Sequence, residues 1–172
     1  SKIINITIQE KPTGELFAGA GTGTNGASLS FGVKENNYLG KGISLDTNAN
    51  ITADTIRGKF QITNPKFKNS DKKVHLGIEA QEIDRLTGFG YKSTKTGVSA
   101  GTEFEYYNDF NLGIASENFI EDIVVLSSAS SSQRKQAGNF FDSFLSLDFN
   151  YDKRNQKFAT SEGFFSNYSL DL

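Results

Sequence analysis

The chain has 172 residues, room for one domain with a sizeable core, and it carries 17 Gly, 15 Phe and 6 Tyr but only 2 Pro and no Cys, Met or Trp. The lack of cysteine excludes disulfide frameworks and thiolate metal sites, and a formal net charge of -2 gives no electrostatic reason to bind nucleic acid. A mean hydropathy of -0.43, with no run near the ~20 apolar residues of a spanning helix, excludes helical membrane spans but suits a soluble protein or an all-β membrane protein.

Residues 3 to 8 set Ile3, Asn5 and Thr7 against Ile4, Ile6 and Ile8, the period of two that puts successive side chains on opposite faces of a strand. The chain opens on Ser1 in this pattern, without a signal peptide, so the start is expected to lie within a longer protein. Lys11-Pro12-Thr13-Gly14 breaks the segment. Nine strands are then expected, near 14–23, 27–35, 42–52, 55–64, 72–82, 93–107, 110–118, 139–152 and 163–172. The alternation is plain where Leu29, Phe31 and Val33 oppose Ser28, Ser30 and Lys34, and where Ile43, Leu45, Ala49 and Ile51 oppose Ser44, Asp46, Asn48 and Asn50. It still runs at Leu172, so the end reads as cut as well.

The connections carry their own signals. Asn25-Gly26 marks a tight hairpin, Asn64-Pro65 removes a ladder donor and ends its strand, and Asn108-Asp109 leaves room for a minimal turn. Neighbouring strands are therefore expected to pair antiparallel. The long connections 83–92 and 119–138 fall on one side of an up-and-down sheet, as the outer loops of a membrane barrel do, although 65–71 and 153–162 on the opposite side are not short. The Ser- and Ala-rich stretch from Ser127 to Ser132, followed by Gln133-Arg134-Lys135, is expected to be a solvated, mobile loop.

A soluble two-sheet sandwich would show the same alternation, with its polar wall outward. Three features favour an all-β transmembrane barrel. The strands are near the ~9–11 residues of tilted spanning strands rather than the ~5–6 of soluble sheets. The apolar rows Ile43-Leu45-Thr47-Ala49-Ile51, Val74-Leu76-Ile78-Ala80 and Leu145-Leu147-Phe149-Tyr151 carry no charge, whereas the opposite rows hold Lys, Arg, Asp and Glu. Aromatic residues gather at strand ends and turns, at Tyr38, Phe67, Tyr91, Tyr106, Tyr107, Phe110, Tyr151 and Phe158, where an interfacial girdle belongs.

Catalytic chemistry is thin. His75 is the sole histidine, which rules out a triad or histidine metal cluster within this chain, and it alternates onto the polar wall as a lumen-lining residue. Asp152, Arg154 and Glu162 are better read as a turn-stabilising salt bridge than as an acid–base set, which needs a cleft and perturbed pKa values. Gly19-Ala20-Gly21-Thr22-Gly23 lacks the Lys-Ser/Thr and the helix of a phosphate loop. No enzyme activity, metal or cofactor is expected.

The glycines have another reading. Gly14, Gly19, Gly21 and Gly23 fall within the first strand, where glycine supplies no packing and costs conformational entropy. This strand is also the edge of everything after it. Either it is a weak edge to which another strand adds by main-chain hydrogen bonds, or its glycines relieve curvature as a barrel bends.

Four ordered segments resemble the BamA family, the central barrel subunits of the bacterial outer-membrane protein assembly machinery. They are Ile8-Gln9-Glu10-Lys11-Pro12-Thr13-Gly14-Glu15-Leu16, Glu35-Asn36-Asn37-Tyr38-Leu39-Gly40-Lys41-Gly42, Thr63-Asn64-Pro65-Lys66-Phe67, and Tyr151-Asp152-Lys153-Arg154 before Glu162-Gly163. The resemblance implies that residues 1–11 end the last periplasmic POTRA domain and its linker, and that 12–172 form roughly the first half of a sixteen-stranded barrel, open as a fragment. Pro12 and Thr13 would be the hinge. The first strand would be one side of a lateral gate, with Gly14, Leu16, Phe17, Ala18, Gly19, Ala20, Gly21 and Gly23 as its contact residues and nascent outer-membrane β-barrel proteins as clients. Accessory assembly lipoproteins and outer-membrane lipid would be the other partners. The turn Thr160-Ser161-Glu162 departs from the family, which often has Pro there, and the family's Arg-Gly-Phe loop and closing strand would follow Leu172. A polypeptide-secretion pore of the same superfamily and a soluble β-sandwich binding module are the alternatives.

Overall fold

Short turns between alternating segments leave each strand its sequence neighbour as partner. The computed structural model, which describes residues 11–23 and 26–172, contains one nine-stranded antiparallel sheet in the order of the sequence. Its strands are β1 (Gly14–Gly23), β2 (Gly26–Tyr38), β3 (Ile43–Thr52), β4 (Thr55–Asn64), β5 (Lys73–Arg85), β6 (Tyr91–Tyr107), β7 (Phe110–Val125), β8 (Gly138–Asp152) and β9 (Phe165–Asp171). The 108–109 turn is closed by Asp109 at φ 65°, a left-handed position that Asp tolerates. The expected strand at 3–8 and Asn25 lie outside the described residues.

Register carries one face across the sheet. Leu16 lies opposite Val33, Val33 opposite Thr47, Thr47 opposite Phe60, Phe60 opposite Ile78 and Ile78 opposite Val98. This apolar face is bare: Leu16 is 83% exposed, Ile120 62% and Phe141 68%. Ala129 is the sole buried apolar residue among those described. A sandwich module would bury such rows against a second sheet, so the soluble alternative is corrected by the single sheet, with its apolar rows exposed, that the described residues form. An apolar wall of this extent needs lipid or protein against it. The hollows of the sheet open on the other face, lined by Lys73, His75, Glu103, Asn111 and Asp148 and, further along, by Arg57, Lys59, Glu79 and Lys95. Arg57 pairs with Glu79 at 2.7 Å and Lys73 with Glu103 at 2.9 Å, so this lumen-side wall cross-links its strands through charge.

Besides β2, which continues past 35 to Tyr38, three strands run further than expected. β5 continues to Arg85, β6 starts at Tyr91 and β7 reaches Val125, so the connections expected at 83–92 and 119–138 shrink to 86–90 and 126–137. The cause is chemical. Above the apolar band the outward row itself becomes polar, at Glu82, Asp84, Lys92 and Asp122, and the alternation that marks a strand disappears. Lys92 reaches Glu82 at 2.8 Å and Asp84 at 3.7 Å across this upper rim. With these bounds, loop length no longer separates the two sides of the sheet.

The stretch expected to be a mobile loop is organised. A one-turn helix, α1 (Ser131–Arg134), starts from a reciprocal cap in which Ser130 Oγ accepts from Gln133 N–H while Gln133 Oε1 accepts from Ser130 N–H. Ala129 rests against Gly90, and Gln133 and Gln136 hang over Ile83, Tyr91, Ile123 and Val125 of the lumen-side wall. Of the eight aromatic residues assigned to a girdle, all but Tyr91 lie at the rim that also holds Pro12. There Phe110 stacks on Phe149 at 6.3 Å and Tyr151 meets Phe164 at 5.3 Å.

At the opposite rim, Asp54 in the β3–β4 turn accepts from Arg85 Nε at 2.6 Å and from Thr52 Oγ1 at 3.0 Å. The Arg85 hydrogen bond holds the Asp54 carboxyl below its ordinary value. A carboxyl depressed on folding contributes stability above its unfolded pKa of about 3.9 and loses that contribution as pH falls through the folded value. Exchange of the Asp84 amide, which donates to the Asp54 carbonyl at 2.7 Å, should therefore accelerate below about pH 4 after correction for intrinsic rates, and should not do so in Asp54→Asn. Face polarity gives a second expectation. In the full-length protein, Ile78→Arg should destabilise the folded state by about 2–4 kcal/mol in a urea titration in vesicles, the cost of a lipid-facing charge near mid-membrane, whereas Gln61→Lys on the lumen-side face should be close to neutral.

Candidate functional site: the free edge of the first strand

Among the described residues, β1 has a partner on one side only, β2, in unbroken register from Gly14 opposite Glu35 to Gly23 opposite Gly26. All ten of its residues are exposed. The residues expected to form the edge, Gly14, Leu16, Phe17, Ala18, Gly19, Ala20, Gly21 and Gly23, are thus brought together on one strand, and Pro12 and Thr13 immediately precede it.

The ladder phase divides these residues into two sets. Asn36 N–H donates to the Thr13 carbonyl, and main-chain groups alternate sides along a strand. The odd-numbered residues Glu15, Phe17, Gly19, Gly21 and Gly23 therefore turn their N–H and C=O groups toward β2. Those of Gly14, Leu16, Ala18, Ala20 and Thr22 point to the open side. A row of unpaired donors and acceptors of this kind is a template for another strand.

Side chains grip β1 unevenly. At its base the Phe17 ring lies across Gly32, directly opposite on β2, and leaves no room there for a Cβ. The same device recurs inside the sheet, where His75 covers Gly101 and Phe119 covers Gly97, each pair again directly opposite in register. Toward the tip nothing comparable holds the strand: a Cβ at Gly19 or Gly23 would meet no atom within 4 Å. The glycines at 19 and 23 thus leave open space rather than sitting where a neighbour demands them.

The expected chemistry elsewhere resolves into structural roles. His75 lies on the lumen-side wall. Arg154 grips Asp152 with Nε at 2.8 Å and Nη2 at 2.7 Å, while Glu162 contributes its carbonyl to Asn155 N–H at 3.1 Å, which makes this a turn clamp.

Sequence reasoning missed Glu35. Its carboxylate oxygen Oε1 accepts from Thr13 Oγ1 and, at 2.7 Å, from Asn37 N–H, while Asn36 Nδ2 donates to the Thr13 carbonyl at 3.4 Å. Its other oxygen would lie 2.9 Å from a Cβ at Gly14. The available signal was a charge closing the otherwise apolar row Leu29, Phe31, Val33.

The model of the Omp85 superfamily domain matches residues 37–172. The chain belongs to the Omp85 superfamily. Among its relatives is the outer membrane protein assembly factor BamA of Neisseria meningitidis serogroup B, 25% identical over 122 residues that cover 67% of this chain and 15% of that protein. Among solved structures, BamA from Haemophilus ducreyi lacking POTRA domains 1–3 shares the fold, with a TM-score of 0.66 at 22% identity over 95% of this chain and 35% of that one. The chain therefore spans well under half the length of the relatives it matches. Superfamily membership, the bare apolar wall and the likeness to BamA place this Omp85 wall in the bacterial outer membrane. The family match begins inside β2, so β1 is tied to the Omp85 barrels through the fold.

Phe17→Ala should remove one cross-strand aromatic contact, worth about 0.4–1 kcal/mol. Native-state hydrogen exchange should then report two- to fivefold faster opening of the β1–β2 amides, with β4–β8 unchanged.

Proposed function

We propose that this chain is the N-terminal part of the barrel of an outer-membrane protein assembly factor, and that it receives a strand of a nascent β-barrel protein on the open edge of β1. The observation that carries the proposal is the row of main-chain groups at Gly14, Leu16, Ala18, Ala20 and Thr22, unpaired among the described residues, on a strand whose tip is held by one long side-chain hydrogen bond, from Ser28 Oγ to the Gly21 carbonyl at 3.4 Å. Strand addition needs that combination: free donors and acceptors to give affinity, and a weak enough local structure for the partner to arrive and leave. The process requires no bond chemistry, cofactor or metal.

The height of the wall supports the same reading. β1, β3 and β4 have 10 residues each, against 17, 16 and 15 in β6, β7 and β8. At ~3.4 Å per residue and ~45° of tilt these correspond to heights of roughly 24 Å and 36–41 Å. On β1 the outward row holds a single large apolar residue, Leu16. Lipid meeting so short and weakly apolar a wall thins locally, which lowers the barrier for a strand entering beside β1. In this reading residues 1–11 close a periplasmic POTRA domain, Pro12 and Thr13 form the hinge, and accessory assembly lipoproteins act with the full-length protein.

Proline separates the two sides of β1. In the full-length protein, Ala18→Pro or Ala20→Pro deletes a donor on the open edge and leaves the β1–β2 ladder intact, and each should reduce the amount of client barrels assembled in the outer membrane. Gly19→Pro deletes a donor to β2 instead, and its first effect should be faster exchange of the β1–β2 amides. Client levels that stay unchanged in both Ala18→Pro and Ala20→Pro would remove the edge assignment.

A further inference from the structure

Within the strands, the outward row bears its charges at the rim away from Pro12, at Glu82, Asp84, Lys92 and Asp122, with one exception. Glu35 stands on the outward face near the opposite rim, in register with Leu45 on one side and Gly14 on the other. An ionisable group on a lipid-facing wall is costly unless its hydrogen-bonding capacity is filled, and it is retained where it has a task. Here one carboxylate oxygen, Oε1, accepts from two segments at once: Thr13 Oγ1, just before β1, and Asn37 N–H, in the irregular stretch where the β2–β3 register shifts between Glu35 and Tyr38. Gly14 lies beneath the carboxylate, where a Cβ would crowd its second oxygen at 2.9 Å.

We propose that Glu35 is the positioning residue of the β1 edge. Its carboxylate ties the segment entering β1 to the irregular end of β2, so that a pull on the chain ahead of Thr13 moves β1 and β2 as one piece and does not peel them apart. The base of β1, held by Glu35 and then by Phe17 over Gly32, is the fixed end. The tip from Gly19 to Gly23, with open space at Gly19 and Gly23, is the end that gives. Coupling of this kind makes the set of main-chain groups presented to a client depend on one carboxylate at the hinge. The inference rests on the strand-addition reading for its purpose, while the latch is a property of β1 and β2 alone.

Two cysteine-pair measurements in the full-length protein test it. One pair, Leu16→Cys with Val33→Cys, reports β1–β2 register directly, since these residues are opposite; pairing Leu16→Cys with Phe31→Cys reports a slip of two residues. A single cysteine at Ala18 or Ala20, with cysteines along a client strand, reports capture by the edge. Glu35→Ala and Thr13→Val should shift a substantial share of the β1–β2 disulfides to the slipped pair. The same variants should lower client capture at least threefold, with heat-modifiable mobility of the folded barrel unchanged. Glu35→Gln keeps an acceptor oxygen for both donors, and Thr13→Ser keeps the hydroxyl, so both should behave as wild type. Unslipped disulfides in Glu35→Ala and Thr13→Val would overturn the latch, as would failure of the two conservative variants to restore register. If the register shifts as described but clients never cross-link at Ala18 or Ala20 even in the parent protein, the latch stands and the strand-addition reading fails.

Discussion

In hydrocarbon a main-chain N–H or C=O without a partner costs several kcal/mol, and the arrangement of this sheet follows from that constraint. Each strand from β2 to β8 is paired on both sides with its sequence neighbours, so its polar backbone is consumed and only side chains meet the surroundings. Once backbone demand is met in this way, the side chains need only be sorted by face. The outward row is free to be apolar without a core behind it, and the inward row to carry Arg57, Lys73, Glu79 and Glu103 as cross-strand ion pairs. Among the described residues β1 has one side of its backbone unpaired, and that is why its functional reading is a main-chain one.

The same constraint explains why the weakest strand is held at one end. A strand with glycine at 14, 19, 21 and 23 makes few side-chain contacts, so its place depends on the ladder to β2 and a small number of fixed points. Phe17 over Gly32 is one, and the Glu35 carboxylate is another. Both act on the first residues of β1, Glu35 from the facing end of β2, and neither reaches the tip. The aromatic residues of the same rim, including the Phe110–Phe149 and Tyr151–Phe164 contacts, give that end of the wall a broad interfacial footing as well.

Much of this was legible in the residues. β1 and β4 have the bounds that alternation and turn chemistry gave, because one face of each carries no charge and the turns use Gly, Asn or Pro. The upper ends of β5, β6 and β7 were not legible. There Glu82, Asp84, Lys92 and Asp122 make the outward face polar too, and a strand with two polar faces has no period to detect. The capped turn at Ser130–Gln133 was hidden for a related reason, since Ser-rich sequence suits both a mobile loop and a helix cap. The edge itself could be located from its glycines, whereas Glu35 could not be assigned a role, because that role depends on which atoms of Thr13 and Asn37 come to it in three dimensions. The split of β1 into residues facing β2 and residues facing outward needs the ladder phase, which no composition or period contains.

The glycines of the inner face set the radius to which this wall can bend. Curling a sheet toward its polar side draws the inward side chains of adjacent strands together, and bulky neighbours there would push the strands back toward flatness. Placing Gly32, Gly97 and Gly101 directly opposite Phe17, Phe119 and His75 lets each ring lie down over bare backbone and shortens the inner arc at that point. Room for inward bending is therefore distributed along the wall as ring-and-glycine pairs, and a methyl group added at any of the three glycines would first meet the ring laid over it.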